Sequence, residues 1–444
     1  MTAAPLPPAS FREIIRLSLP TVGVALLQGG AQTVEIALAG RIGTGAQAAY
    51  ALVLPLLLLL QMMSTGAMGG GVASSIARAF GAGRAEEARA LAWHAVLIGT
   101  GMGLAFTVLV LAFGPALFRL VGREGAPVDL AYSYAVWIFA AAVLPWLANT
   151  LAAVLRGTGD MATPARILAL TWVADAGMSA VLMLGIGPFG GFGLPGAGMA
   201  YALAFLGACV AMARVVWRGK LGLSSGGLPP LEPALFRRIL SVGIVASVMA
   251  LMANVTTLLV TGLVAAHGTA ALAAYGIGVR LEFLMVPLAF GIGAALVTLV
   301  GRRVGAGAWA AARTTAWRGG LLAGGIALAI GGGCAAFAPV VAAAFTADAA
   351  VRELAVLYLQ IVGPAFGVFG AGMALYFAAQ GAGRMSGPFA AALARIGLAA
   401  GGGAVLGAGF GLPGVFAAIA LGLLAYGAVV GASVRAGVWR ERVA

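Results

Sequence analysis

Charges interrupt this chain so rarely that apolar runs of twenty residues and more lie between them, and the interruptions predict its elements. The stretch Leu17–Gly40 shows the pattern. It reads LSLPTVGVALLQGGAQTVEIALAG between Arg16 and Arg41, and its only charge is Glu35. About twenty apolar residues cross a bilayer as one helix, because backbone polar groups in hydrocarbon must be paired within the segment. Cutting at charges and at Gly/Pro clusters predicts twelve such helices. They fall near 13–40, 46–77, 89–114, 128–155, 163–187, 194–217, 236–266, 270–301, 313–338, 352–380, 387–410 and 412–438. Several exceed the minimum length, which permits tilt.

Composition agrees. Of 444 residues, 62% are hydrophobic and 9% charged, with a mean hydropathy of +1.05. A soluble domain carries about 25% charge, so the predicted class is an all-α polytopic membrane protein whose surroundings are the lipid bilayer. A net charge of +13 suggests nucleic acid in a soluble protein. Here the basic residues sit in short connections. Counting Lys and Arg on alternate sides gives twenty against four (Arg41, Arg119, Arg123 and Arg352), which places both termini in the cytoplasm and removes the case for a nucleic-acid partner. The two cysteines, Cys209 and Cys334, lie in apolar runs and form no metal-ligand spacing.

The runs repeat. GTGAQAAY at 43–50 returns as GTAALAAY at 268–275, FGAGRAEEARALAW at 80–93 as VGAGAWAAARTTAW at 304–317, and GTGDMATP at 157–164 as GAGRMSGP at 381–388. GFGLPG at 191–196 returns unchanged at 409–414. Six spans per half give both halves one orientation. The expectation is two six-helix bundles, 1–217 and 233–444, joined by a cytoplasmic linker over 218–232 and related by a pseudo-two-fold axis along the membrane normal.

Three carboxylates fall inside spans: Glu35, Asp175 and Glu282. An acid in hydrocarbon costs roughly 2.5–3.5 kcal/mol on insertion scales unless it is neutralised or faces water. Glu35 and Asp175 are read as sharing a wet pocket in the first half, where burial and repulsion between two acids favour uptake of a proton. The plainer reading makes each a structural acid, bonded to a helix neighbour or paired with Arg280. Asn149 on the fourth span and Gln28 on the first are candidate partners. Arg280 and Glu282 are two residues apart and do not face each other on a helix, so Arg395 is the expected partner of Glu282, as a static ion pair or as a gate. The aromatics Tyr132, Trp137, Trp146, Trp172 and Tyr201 suit either a pocket for flat cations or core packing. No nucleophile, base or metal set clusters at one membrane face, so no enzyme is expected.

With these residues in hand the chain resembles the MATE (multidrug and toxic compound extrusion) transporters over nearly its whole length. The first helix carries SLPT, with Pro20 as the expected bend, and then VEIALAGRIG. AFGAGRAEEAR at 79–89, LRGTGD at 155–160, GLPGAGMAYA at 193–202 and GVRLE at 278–282 also match family signatures. The resemblance places Asp175 at a position where members carry Asn, Ser179 where they carry Asp and Tyr201 where they often carry Thr. Asn254 stands near the seventh-helix acid of members that bind sodium in the second half, and the tenth span has no acid. The resemblance therefore implies a monomeric antiporter of the bacterial inner membrane, without cofactor, exporting lipophilic organic cations and drugs in exchange for protons. Sodium coupling, and a lipid-linked oligosaccharide flippase of the same superfamily, are the alternatives.

Overall fold

The computed structural model describes residues 6–122, 126–186, 189–218, 229–435 and 439. It is almost wholly helical. The helices are α1 (Phe11–Ile42), α2 (Thr44–Gln61), α3 (Gly69–Gly81), α4 (Ala85–Gly122), α5 (Ala126–Ala140), α6 (Val143–Gly157), α7 (Ala162–Leu184) and α8 (Leu194–Arg218). They continue as α9 (Pro233–Ala265), α10 (Thr269–Gly305), α11 (Trp309–Ala336), α12 (Ala338–Phe345), α13 (Ala349–Val362), α14 (Phe366–Ala382), α15 (Ser386–Ile396) and α16 (Gly403–Arg435). A two-stranded antiparallel pair, Gly185–Ile186 with Phe189–Gly190, connects α7 to α8. Residues 219–228 of the expected linker lie outside the described residues, as do Arg123, Lys220, Arg440 and Arg442 from the charge count.

Among the described residues ten helices are long and apolar enough to cross a membrane, or eleven when the bent pair α5 and α6, at 45° to each other, counts as one span. One of the ten is the fifty-residue run Ser386–Arg435. It contains Gly411, whose φ of 64° and ψ of −150° are not helical, so two helices meet there. This accommodates the twelve expected spans.

The repeat is written in the backbone as well as in the letters. Gly43 and Gly268 have φ of 151° and 102°, Gly83 and Gly307 of 71° and 73°, Gly159 and Gly383 of 91° and 68°, and Gly193 and Gly411 of 64° each. Each pair occupies equivalent positions of one of the four repeated motifs. Side chains rarely adopt this region, and glycine enters it without a Cβ penalty. The motifs are therefore the turns between spans.

Two compact units result. One comprises Met1–Leu19, Gly81–Gly83 and Ile244–Ala444, and the other Pro20–Phe80 and Arg84–Gly243. In the second of these, α7 packs on α8, α5 on both α2 and α8, and α6 on both α4 and α8. In the first, α14 lies against α10, α11 and α16. Small residues allow that approach: a Cβ at Gly324 of α11 would come within 2.9 Å of the Ala371 Cβ of α14. Large apolar side chains such as Leu104, Val108, Leu170 and Leu258 point outward, as lipid-facing positions require.

The described residues before Pro20 are tied to the unit of the second half. The Ala9 amide donates to Thr315 Oγ1 at 3.0 Å, Arg318 donates to the Ala9 carbonyl at 2.8 Å, and Arg303 Nε donates to the Pro7 carbonyl at 2.8 Å. Helix α1 itself runs unbroken through Pro20.

Candidate functional site

The polar side chains of the first half gather around α1, α2, α6, α7 and α8. Glu35, seven residues from the end of α1, is 3% exposed. Its Oε1 accepts a hydrogen bond from Ser179 at 3.0 Å, and its Oε2 one from the Tyr50 hydroxyl at 3.2 Å. Tyr50 stacks on Tyr134, with ring centroids 5.8 Å apart.

Asp175 lies one turn before Ser179 on α7, and i and i+4 share a helix face. It is fully buried, and neither carboxyl oxygen has a hydrogen-bond partner among the described residues. Two buried acids thus lie in one unit and are treated differently: two hydroxyls serve Glu35, and among the described residues no donor serves Asp175. Buried polar groups are seldom left this way in a static scaffold.

A second network lies beside the first. Gln61, the last residue of α2, donates from Nε2 to the Tyr201 hydroxyl at 2.6 Å. Its Oε1 accepts from Asn149 at 3.3 Å, and Asn149 also donates to Ser64 at 2.9 Å. Ser64 belongs to a π-helical turn, Met62–Met68, that separates α2 from α3. Such turns carry one extra residue per turn and recur at functional positions. Tyr201 closes an aromatic group with Phe205 at 4.6 Å and Trp172 at 6.3 Å, and Trp172 meets Phe205 edge-on at 5.5 Å.

The structure therefore brings together Glu35, Asp175, Ser179, Asn149, Tyr201 and Trp172 within one unit. Gln28 is half-buried and makes no hydrogen bond among the described residues. Four members of the site were not singled out from the sequence: Tyr50, Tyr134, Gln61 and Ser64. Gln61 offered a signal, as the first polar residue after the run LPLLLLL. The two tyrosines offered another, since Tyr50 and Tyr134 return in the second half as Tyr275 and Tyr358 at the offset of the repeat.

In the second half Glu282 and Arg395 form an ion pair at 3.0 Å. The Arg395 guanidinium lies over the Phe369 ring, 4.7 Å from its centroid. Arg280 is exposed and makes no ion pair or hydrogen bond among the described residues. Asn254 is exposed too and donates only to the Ala250 carbonyl of its own helix, at 2.9 Å. Among the described residues it makes no other hydrogen bond.

A family model described as MatE matches residues 20–181 and 244–405, two stretches displaced by the same offset as the repeat. A Deinococcus radiodurans protein named probable multidrug resistance protein NorM is 32% identical over 333 residues, 70% of this chain and 69% of its own length. A protein of the same name from Thermotoga maritima is 28% identical over 301 residues, 68% of this chain and 64% of its own. A Shewanella oneidensis protein named FAD transporter is 24% identical over 298 residues, 67% of this chain and 66% of its own. The chain thus spans just under two thirds of the length of the Thermotoga and Shewanella proteins. Among solved structures, a MOP superfamily transporter from Pyrococcus furiosus superposes with a TM-score of 0.87 at 22% identity over 96% of both chains. The Vibrio cholerae MATE transporter VcmN in its bent form gives 0.85 at 20% identity over 97% of this chain and 98% of its own. At these identities the likeness establishes the fold.

Proposed function

Because the chain belongs to the MatE family, we propose that it is a secondary efflux transporter of the bacterial cytoplasmic membrane, exchanging inward-moving protons for lipophilic, often cationic, organic compounds. The observation that carries this reading is Asp175, fully buried with both oxygens unpartnered among the described residues, one turn from the hydroxyl that serves Glu35. Intramembrane acids without a basic partner mark ion pathways. A proton arriving at this pair and a cation leaving it compete for the same negative charge, which is the elementary requirement of exchange. Moving one charge through 100 mV is worth about 2.3 kcal/mol. A pH gradient adds roughly 1.4 kcal/mol per unit. One proton for one monovalent cation is electroneutral and runs on the pH gradient alone.

Protons suit the site better than sodium. Hard cations need several oxygen ligands at once, and in the second half Asn254 turns back to its own helix. Export of ethidium from proteoliposomes under an imposed pH gradient, and then under an imposed sodium gradient, tests the coupling. Proton-driven export that is lost in Glu35→Gln supports the reading. Export unchanged in that variant removes Glu35 from the mechanism.

A second reading keeps the architecture and changes the cargo. Arg280 is an exposed arginine within an apolar span, which suits an anionic substrate such as a lipid-linked pyrophosphate sugar, and the Shewanella relative is named for transport of the anionic FAD. Loss of function in Arg280→Ala and Arg395→Ala with a silent Glu35→Gln favours it.

A further inference from the structure

The repeat is unequal in charge where α4 and α11 begin. In the first half FGAGRAEEARALAW puts Glu86 and Glu87 in the first turn of α4. Glu86 pairs with Arg89 at 3.4 Å, and Glu87 pairs with Arg84 at 2.7 Å and with Arg238. At the matching places the second half reads VGAGAWAAARTTAW. Arg313 stands where the first half has Arg89, and Ala310 and Ala311 stand where it has the two acids. The first turn of α11 therefore holds no acid. Arg313 is half-buried and makes no hydrogen bond or ion pair among the described residues.

A cavity of about 680 Å³ opens beside this arginine. Pro7 and Pro8 of the segment before α1 line it, with Trp309, Ala311 and Arg313 of α11 and the buried Trp439. Neighbouring cations already have their acceptors. Arg303 and Arg318 donate to the Pro7 and Ala9 carbonyls at 2.8 Å each, which fixes that wall in place. Glu13, the acid of the same segment, pairs with Arg303 at 3.8 Å. Arg384 lies over the Trp309 ring, 5.6 Å from its centroid. A half-buried cation without its counter-charge favours an anion from outside, and the planar guanidinium matches phosphate oxygens two at a time. The walls say which phosphate. Proline and indole faces around one cation suit the membrane boundary, where tryptophan rings sit at headgroup level. The volume lies within the roughly 300–1,000 Å³ of small-ligand sites. The charge count assigns this end of the bundle to the cytoplasmic face, where basic pockets meet anionic lipid headgroups.

We propose that this cavity binds the headgroup of an anionic phospholipid of the cytoplasmic leaflet, with Arg313 receiving the phosphate and the half-buried Trp309 ring beside the glycerol. This goes beyond the efflux reading and holds whichever cargo is exported. Native mass spectrometry of the full-length protein, titrated in detergent with dioleoyl phosphatidylglycerol or dioleoyl phosphatidylcholine, measures the first lipid bound. The wild type is expected to hold phosphatidylglycerol at least about fivefold more tightly than phosphatidylcholine. Arg313→Gln is expected to bring the two lipids within about twofold of each other. Arg89→Gln loses the same charge at the matching place of the first half, where acids already neutralise it, and is expected to keep the preference. Ala310→Glu puts an acid at the place of Glu86 without touching Arg313, and is expected to weaken phosphatidylglycerol alone by about fivefold. If Arg313→Gln does not fold, Ala310→Glu decides the matter. An excess of glycerol phosphate, which carries the phosphate without acyl chains, is expected to leave the lipid bound. Equal binding of the two lipids by the wild type, a preference that survives Arg313→Gln or Ala310→Glu, an equal loss in Arg89→Gln, or displacement by glycerol phosphate overturns the proposal.

Discussion

Ser179 donates to Glu35 across 3.0 Å from a position one helical turn beyond Asp175, so a single face of α7 carries both the acid with no donor among the described residues and the donor for the other acid. Ser179→Ala removes a hydrogen bond to an ionisable group, about 1.5–3 kcal/mol when that group is charged. Proton-driven ethidium export is expected to fall by about tenfold, and Ser179→Thr to retain most of it. Initial rates in proteoliposomes, normalised to reconstituted protein, check this.

Asp175→Asn separates stability from transport. Neither oxygen of Asp175 accepts a hydrogen bond among the described residues, so the isosteric amide gives up no contact and relieves a buried acid. The melting temperature is expected to hold or rise while pH-driven export is lost. A variant that melts lower and still exports contradicts the assignment of Asp175 to the coupling site.

The tyrosine pair makes an internal control. Tyr50→Phe deletes the 3.2 Å bond to Glu35 but keeps the stack on Tyr134, and Tyr134→Phe keeps both. Export is expected to fall several-fold in the first variant and to stay within about twofold in the second, since a hydrogen bond to an ionisable group is worth about 1.5–3 kcal/mol. Equal effects would mean that ring packing, rather than the hydroxyl, sustains the site.

Asn149 joins two acceptors, Gln61 and Ser64. Asn149→Ala leaves the Gln61 carbonyl oxygen buried without that donor, a cost of about 1–3 kcal/mol. At about 2–4 °C per kcal/mol for units of this size, differential scanning fluorimetry should show a drop of several degrees. Asn149→Asp replaces the donor with an acceptor and is expected to fall further.

The spans and turns could be read from the letters because each follows from a local rule. Apolar length sets a crossing, and Gly43, Gly83, Gly159 and Gly193 reappear as left-handed turns at the matching places of the repeat. Glu35, Asp175 and Glu282 stood out because charge is rare in hydrocarbon. Tyr50 and Gln61 did not stand out. An aromatic ring or an amide within an apolar run looks like packing until its partner is known, and their partners Glu35 and Tyr201 lie 15 and 140 residues away. Gln28 and Asn254 show the converse. Gln28 is a polar residue in an apolar run and Asn254 stands near the place where the resemblance puts an acid, yet Gln28 is half-buried and Asn254 exposed, and both lie apart from the clusters.

Thr315, Arg318 and Arg303 use polar atoms on the backbone of Ala9 and Pro7. A gene divided midway would therefore yield a downstream fragment that loses these three bonds and keeps those within its own helices, from Thr315 to the Ala311 carbonyl and from Arg303 to the Leu299 carbonyl. Complementation from split genes is expected to improve when the segment before Pro20 is grafted onto that fragment or supplied in trans, because the compact unit of the second half includes it.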